Sequence, residues 1–370
     1  MPTSIESTGA GAPFPSQAVK LSENRSRTPA AGRIIPSGLT ALALLLGPLA
    51  CGPADERQAV IYTSLDQTFS EQILREFEAR TGIRARAVYD TEAAKTTGLV
   101  NRLLEEQGNP RADVFWNSEI VRTIVLKRRG VLAPYRSPAA AAIPERFKDP
   151  EGFWTGFGAR VRVLVCNTER LAESERPRSI FELAEPRWRG KVALANPMFG
   201  TTATHGAALF AALGEERAGA YFRALKDNAV AIVAGNATSK DRVAAGEFAV
   251  GFTDTDDVNV ALARGQPVAT VFPDQEEGGL GTLLIPNTVA LVRGGPHPEE
   301  GKRLVDFILS EEVEGRLAAA KGGQIPLRSS VPRPERVPDI AELRLMDVDF
   351  EAVADQLETS AAFLRELFLE

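Results

Sequence analysis

The segment AVGFTDTDDVNVA, residues 249–261, joins an apolar run to an acidic turn and then to a helical pattern. The apolar half predicts a short buried strand, and the second half predicts the start of a short helix. Between them, Asp254, Asp256 and Asp257 place three carboxylates within four residues. Like charges at this spacing raise one another's pKa and favour a nearby cation or a cluster of hydrogen-bond donors.

Two interpretations of this acidic run are open. Aspartate is favoured at the N-cap and in the first turn of a helix, where its carboxylate accepts backbone N–H groups and opposes the helix dipole. The same position in an α/β protein, beyond the carboxyl end of a strand, is also where ligands bind. The acidic run is therefore either a helix start or part of a binding site.

The chain before residue 130 alternates predicted strands and helices. Strands are predicted at residues 60–62, 83–89 and 112–116, and each is followed by an amphipathic helical pattern. Gly82 suits the left-handed position that ends the first of these helices. This βαβαβα order predicts a parallel sheet covered by helices on both faces.

Two small polar turns occur later in the chain. Residues 196–202 form a hydroxyl-rich turn, and a helix is predicted from about residue 204. Residues 235–239 form a second polar turn, and a short helix is predicted from residue 241. Hydroxyls and backbone N–H groups at helix starts favour an anion or a polar ligand, although simple helix capping explains the same composition.

Composition limits the classes of function. A chain of 370 residues is too long for one typical domain, so two lobes are expected. The hydrophobic fraction of 44% and charged fraction of 25% are ordinary for a globular protein. A net charge of −6, without a basic stripe interleaved with aromatic residues, argues against nucleic-acid binding.

Cysteine and histidine are too rare for several kinds of site. Cys51 and Cys166 are the two cysteines of the chain, and His205 and His297 are its two histidines. These low counts exclude a disulfide framework, a thiolate zinc cluster and a histidine-rich metal site. Cys166 lies in a predicted strand at residues 159–167, where a buried structural thiol is expected. The sequence pairs neither histidine with a carboxylate or nucleophile, which disfavours an enzyme.

Residues 1–50 have the pattern of a leader segment. LTALALLLGPLA at residues 39–50 is an apolar run of signal-sequence length, too short to cross a bilayer as a helix. It ends at Cys51 and resembles a bacterial lipoprotein signal, although Pro48 stands where that signal usually has leucine. We expect lipidation at Cys51, which would hold the chain on a membrane surface outside the cytoplasm; plain secretion is the alternative. The basic leader is long, and translation is expected to start downstream of Met1, near Val19.

The order of several segments resembles one protein family, the extracellular solute-binding proteins of bacterial ABC importers, nearest to its ferric-iron-binding branch. The resemblance covers about residues 60–327. It is carried by the order and spacing of six segments: IYTSLDQTFSEQILREFEARTGI, ADVFWNSE, GARVRVLVCNTERL, FELAEPRWRGKVALANP, VAAGEFAVGFTDTDD and LIPNTVALVRGGPHPEEGKRLVDFILSEE.

The resemblance implies a type II periplasmic-binding-protein fold: two α/β lobes joined by crossing strands, with a ligand cleft between them that closes by a hinge motion. The first lobe would comprise residues 57–158 and 286–370, and the second lobe residues 159–285. A helix at residues 357–368 is expected to pack on the first lobe. The implied protein is a monomeric receptor that delivers its ligand to an ABC permease and ATPase, without catalysis or a catalytic cofactor. A sensor or scaffold without transport is the alternative.

The resemblance also suggests positions for ligand contacts. The iron-binding relatives use a histidine after the first strand, near Asp66 here, and a glutamate at the turn that holds Ser118 and Glu119 here. They use adjacent tyrosines where this chain has Asp256 and Asp257. None of the four tyrosines of the chain lies there, so phenolate coordination at that position is not available.

Two kinds of ligand follow. A hard cation such as Fe³⁺, carried as the transported ligand, accepts all-oxygen shells; its expected ligands are Asp66, Glu119, Asp254, Asp256 and Asp257. A small polar solute bearing an amine or a phosphonate is the alternative. Its expected hydrogen-bond partners are Tyr62, Thr63, Ser64, Asn117, Ser118, Thr201, Thr202 and Asn236. The cation is favoured because the acids converge and no arginine cluster is expected to face the cleft.

Overall fold

The computed structural model describes residues 57–90 and 96–370. The predicted leader, the lipidation residue Cys51 and the expected start near Val19 lie outside these residues. Within the described ranges, every helix is too short or too polar to cross a membrane.

The described chain alternates strands and helices. The strands are β1 (Gln58–Thr63), β2 (Arg84–Tyr89), β3 (Val114–Asn117), β4 (Leu132–Ala133), β5 (Thr155–Asn167), β6 (Val192–Ala195), β7 (Ala231–Val233), β8 (Val250–Asp254), β9 (Val268–Val271) and β10 (Leu284–Val292). The α-helices are α1 (Gln67–Thr81), α2 (Thr97–Glu105), α3 (Val121–Arg128), α4 (Gly200–Leu213), α5 (Glu215–Asp227), α6 (Asn236–Ala244), α7 (Thr255–Ala263), α8 (Pro298–Ile308), α9 (Glu311–Ala319) and α10 (Phe350–Leu369).

The strands form two parallel groups joined by antiparallel strands. Their order is β2-β1-β3-β10-β5-β8-β6-β7, with β4 also paired to β10 and β9 to β5. β1 runs parallel to β2 and β3, and β6 runs parallel to β7 and β8. The predicted parallel pairing of the first three strands is therefore confirmed, and the result is a two-lobed α/β fold.

The long strand β5 belongs to both groups. Its first half pairs antiparallel with β10, and its second half pairs antiparallel with β8 and β9. Every residue of β5 is buried. The β5–β10 register shifts between Pro286 and Asn287, at the point where the sequence places the change of lobe. We retain the lobe limits, residues 57–158 with 286–370 and residues 159–285, as a proposal.

Two helices begin earlier than the sequence predicts. α4 begins at Gly200 rather than near residue 204, and α6 begins at Asn236 rather than at residue 241. In both cases the preceding residue is extended, so the polar turn itself forms the first helical turn. Thr201 therefore lies in the first turn of α4, close to its free N–H groups.

The last helix is longer and has more neighbours than expected. α10 begins at Phe350, where the Asp349 carboxylate accepts a hydrogen bond from the Glu351 N–H. It packs on α3, and Arg128 of α3 makes ion pairs with Glu351 and Asp355 at 2.7 Å each. Its more extensive packing is on α4 and α5. The expectation that it packs on the first lobe is therefore incomplete, because α4 and α5 lie in the proposed second lobe.

Cys166 is a buried residue of β5, as predicted. Burial raises the pKa of its thiol to about 12, with a small opposing effect of Arg176. A thiol that stays protonated at neutral pH is inert as a nucleophile, so Cys166 has a packing role.

Candidate functional site

The carboxyl ends of β1, β3, β6, β7 and β8 meet at one cleft, and a helix begins after each strand. Helix starts direct N–H groups and partial positive charge toward the space they share. The cleft holds a cavity of about 40 Å³. Its lining residues are Leu65, Asp66, Ser118, Arg160, Gly200, Thr201, Asn236, Asp254, Asp256 and Asp257.

The acidic run forms a compact group of carboxylates at this cleft. Asp254 ends β8, and Asp256 and Asp257 occupy the first turn of α7. One carboxylate oxygen from each of the three lies within 4.8 Å of the others. Thr253 donates a hydrogen bond of 2.9 Å to Asp257 Oδ2. The spacing allows one cation to contact all three carboxylates.

Asp254 is held by a network of buried polar groups. Arg162 Nη1 donates to Asp254 Oδ1 at 2.7 Å, and both side chains are buried. Thr201 Oγ1 donates to the other oxygen, Asp254 Oδ2, at 2.6 Å, and Asn236 Nδ2 donates to it at 2.9 Å. Arg162 also donates to Thr201, Asn236 and Thr202, at 3.2, 3.1 and 3.3 Å. With both oxygens engaged, Asp254 acts as the anchor of this network.

Asp256 has a different guanidinium partner. Arg160 Nε donates to Asp256 Oδ2 at 3.2 Å, and the Arg160 side chain is only 3% exposed. Burial alone would lower the pKa of Arg160. The carboxylates of Asp256, Asp254 and Asp66 outweigh that effect and raise it, so the guanidinium stays charged.

The two arginines correct the expectation that no arginine cluster faces the cleft. Arg160 and Arg162 are two residues apart in β5, so their side chains lie on one face of the strand. Their pattern is visible in the sequence as ARVRV within an otherwise apolar strand. A charged residue repeated at a spacing of two in a buried strand needs a partner. The repeated arginine in ARVRV is therefore the sequence feature that could have indicated a charged site.

The structure divides the predicted site residues into three groups. Asp66, Ser118, Thr201, Asn236 and the three acids of the run line the cavity. Thr202 stands beside it and donates to Asn236 Oδ1 at 3.2 Å. The five other candidates do not line the cavity: Tyr62, Thr63, Ser64, Asn117 and Glu119.

Tyr62 and Glu119 have structural partners instead. The Tyr62 hydroxyl donates to Glu106 at 2.9 Å, away from the cavity, and burial followed by this contact raises the pKa of Tyr62 to about 12. Glu119 is fully buried and accepts hydrogen bonds from the N–H groups of Val121 and Arg122, at 2.7 and 3.1 Å. It also accepts from the Thr204 hydroxyl at 2.9 Å. Glu119 therefore binds the first N–H groups of α3 and does not line the cavity.

Thr63, Ser64 and Asn117 support the turn that carries Ser118. The Thr63 hydroxyl accepts the Leu65 N–H at 3.1 Å. Ser64 Oγ donates to Asn117 Oδ1 at 2.8 Å and accepts the Ser118 N–H at 2.8 Å. These bonds fix the β1–α1 and β3–α3 turns together, so the three residues position the cleft without lining it.

His297 has a carboxylate partner that the sequence did not indicate. Its Nδ1 lies 3.0 Å from Asp113 Oδ2, and Asp113 also accepts the Val60 N–H at 2.7 Å. Asp113 precedes β3, whereas the cleft lies beyond the other end of that strand. The pair therefore fastens the start of α8 to the sheet, far from the acids.

His205 is buried in α4, and its ring packs on Phe252 at 5.9 Å. Burial, followed by the charge of Arg162, lowers the pKa of His205 to about 3 from 6.5. The unfolded chain therefore takes up a proton at higher pH than the folded chain does. The associated stability is fully present above pH 6.5 and is lost as pH falls toward 3.

We expect His205→Asn to flatten the acid side of the stability curve. Between pH 6.5 and about 4 the wild type should lose a few kcal/mol of unfolding free energy through His205, and the variant should lose none through this position. Denaturant midpoints of both proteins at pH 7 and pH 4.5 measure the difference. Equal acid losses in the two proteins would show that His205 is protonated in the folded state.

Comparison with known families identifies one match. The family described as bacterial extracellular solute-binding protein matches residues 123–352. Iron uptake protein A1 of Synechocystis is 25% identical over 331 residues, 86% of this chain and 89% of the relative. A putative 2-aminoethylphosphonate-binding periplasmic protein of Salmonella paratyphi A is 30% identical over 262 residues, 69% of this chain and 73% of the relative.

Solved structures share the fold. Iron-bound HitA from Pseudomonas aeruginosa superposes with a TM-score of 0.76 at 22% identity, covering 84% of this chain and 99% of that protein. AfuA from Actinobacillus pleuropneumoniae, with fructose-6-phosphate bound, superposes with a TM-score of 0.75 at 24% identity, covering 84% and 98%. These two-lobed proteins confirm the architecture.

Proposed function

The chain belongs to the bacterial extracellular solute-binding proteins, and from that premise we propose that its cleft captures a hard cation, with Fe³⁺ as the first candidate. The protein is thus a solute receptor of an ABC importer, in a family of binding proteins rather than enzymes. The cation is its cargo and not a catalytic cofactor.

The balance of charge at the cavity carries this proposal. The group contains four carboxylates and two guanidiniums, which leaves a formal charge of −2. The carboxylates are those of Asp66, Asp254, Asp256 and Asp257, and the guanidiniums are those of Arg160 and Arg162. A cavity of about 40 Å³ suits an ion or a small solute. Carboxylate oxygens are the ligands that hard cations prefer.

The two groups of acids have different expected roles. Asp66, directly before α1, and Asp256 and Asp257, in the first turn of α7, line the cavity and are the proposed ligands. Asp254 supports them, because Arg162, Thr201 and Asn236 already occupy its oxygens. Relatives named for iron, among them the major ferric iron-binding protein of Neisseria meningitidis, 24% identical over 85% of this chain, support the choice of Fe³⁺.

A zwitterionic phosphonate is the second candidate, favoured by a separate observation. Arg160 places a positive charge beside the acids, and α4 and α6 begin at the cavity with Gly200 and Asn236. An anionic group could bind at these helix starts while an amine pairs with the carboxylates. The relative named for 2-aminoethylphosphonate binding supports this candidate.

Thermal stabilisation distinguishes the two ligands. We expect chelator-stripped protein to melt at a higher temperature with ferric citrate than with citrate alone, and not to respond to 2-aminoethylphosphonate. A ligand at about 100 times its Kd adds about 2.7 kcal/mol to the unfolding free energy. Stabilisation by the phosphonate, with none by Fe³⁺, Mn²⁺ or Ca²⁺, would reject the cation and establish the second candidate.

The cellular setting follows from the family and the leader. We propose that the receptor works outside the cytoplasm, in the periplasm or at the cell surface, anchored through a lipid on Cys51 and acting as a monomer. An ABC permease and its ATPase are the partners that such receptors serve. Intact mass of the mature chain tests the anchor: a mass without diacylglyceryl would show plain secretion.

A further inference from the structure

Arg160 joins three separate elements around the cleft. Its Nε donates to Asp256 Oδ2 in α7 at 3.2 Å, and its Nη2 donates to Asn287 Oδ1 in β10 at 2.8 Å. Its Nη1 donates to the backbone oxygen of Ser118, at the turn between β3 and α3. By the proposed lobe limits, Ser118 and Asp256 are on opposite sides of the cleft. One side chain therefore spans the opening.

Asn287 connects this side chain to the crossing strands. Its Nδ2 donates to the oxygens of Phe157 and Gly158 in β5, and to Gln324 Oε1 at 2.7 Å. It lies at the register shift between β5 and β10. Because Arg160 is itself a residue of β5, its guanidinium links the ligand acids to the place where the chain passes between lobes.

Burial makes these bonds costly to break. Arg160 is 3% exposed, and a buried charged group that loses its partners pays a large desolvation penalty. Any movement that separates Ser118 from Asp256 must break at least one of the bonds or admit water to the guanidinium. Other contacts also join the proposed lobes: the Glu119–Thr204 bond at 2.9 Å, the bond from Arg122 Nη2 to the Met198 oxygen at 3.0 Å, and the packing of α10 on α4 and α5. Neither of these two bonds involves an acid of the run or a crossing strand.

We propose that Arg160 is a positioning residue that holds the cleft closed in the absence of ligand, by tying Asp256 to Ser118 and to the crossing strand at Asn287. This inference rests on the proposed function only in taking the cleft as the ligand site. A ligand that enters the cleft then contacts carboxylates that are already in position. A cation that binds Asp256 competes with Arg160 for the same carboxylate.

Spin labels on the two lobes test the proposal without any ligand. Cysteines replace the exposed residues Ala79 in α1 and Ala245 after α6, in a chain carrying Cys51→Ser and stripped with chelator. We expect a single narrow distribution of inter-label distances in the otherwise unchanged chain. Arg160→Met keeps the stem of the side chain and removes its donors, and should shift the main distance to longer values.

Arg328→Met is the matched control. Arg328 is also buried and bonds a carboxylate, Glu314, at 2.7 Å, but all its partners lie in the proposed first lobe. It should lower the melting temperature and leave the distance unchanged, which separates closure from loss of stability. If Arg160→Met does not fold, Arg160→Lys, which keeps the charge but has one donor nitrogen in place of the three that Arg160 uses, should broaden the distribution toward longer distances.

An unchanged distance in a folded Arg160→Met protein would overturn the proposal, as would an equal shift in the Arg328→Met control. The readout is independent of ligand identity. Failure of Fe³⁺ to stabilise the wild type would reject the proposed cargo and leave this result standing, whereas an unchanged distance would reject the role of Arg160 alone.

Discussion

Asp256→Asn combined with Asp257→Asn is expected to abolish stabilisation by Fe³⁺ and to weaken cation affinity by about 100-fold or more. Loss of a group that only supports a metal ligand already lowers metal affinity about 10- to 100-fold. These two carboxylates are proposed as ligands themselves, so a larger loss is expected. Asp254 cannot replace them, because Arg162 and its other donors hold both of its oxygens. Titration of the stripped proteins with ferric citrate, followed by calorimetry or melting temperature, gives the affinities.

A matched pair of substitutions separates the site from net charge. Glu276→Gln with Glu277→Gln removes the same two charges from an exposed loop and should leave affinity unchanged. The loss of Asp256 and Asp257 should itself cost the start of α7 no more than about 1 kcal/mol for each carboxylate through the helix dipole. If the aspartate double variant binds the cation as tightly as the wild type, the acidic run serves only to begin α7.

The alternation of strands and helices could be predicted because it depends on local patterns. The spacing of apolar residues gave each early strand and helix, and Gly82 adopts the left-handed conformation, with φ +65°, that ends α1. The early starts of α4 and α6 were missed because their first turns are rich in glycine, threonine, serine and asparagine, which also form loops. In both helices the residue before the first turn, Phe199 or Gly235, is extended, and the helix begins directly after it.

The acidic run lines the cavity, at the position expected of residues that follow a strand and begin a helix; its role in binding a ligand stays a prediction. Tyr62 does not line the cavity. A strand presents alternate residues to opposite faces, and the short apolar run within β1 does not show from sequence which face meets the cleft. Glu119 does not line the cavity either. A carboxylate in a turn is equally suited to a ligand and to backbone N–H groups, and here it accepts the N–H groups of Val121 and Arg122.

The arginine partners could not be assigned from sequence for a different reason. Arg160 and Arg162 meet carboxylates that are 96 and 92 residues away, so only the antiparallel pairing of β5 with β8 brings them together. That pairing places Arg162 directly opposite Asp254 in the register. Two oppositely charged residues facing each other in a buried sheet form a strong constraint on register, because a shift would leave both charges unpaired.

Arg162→Met should therefore be the most destabilising single substitution at the cleft, because it leaves the buried Asp254 carboxylate without its cation. Breaking a buried ion pair from one side costs about 3–5 kcal/mol of unfolding free energy. Adding Asp254→Asn should restore most of the loss, since no buried charge then remains and the amide can still bond Thr201 and Asn236. Denaturant midpoints measure each protein, with Arg178→Met, an exposed arginine 3.6 Å from Glu276, as a control expected to match the wild type. A double variant no more stable than Arg162→Met would mean that Arg162 stabilises the cleft mainly through its bonds to Thr201 and Asn236, and the charge of Asp254 would then be available to the ligand.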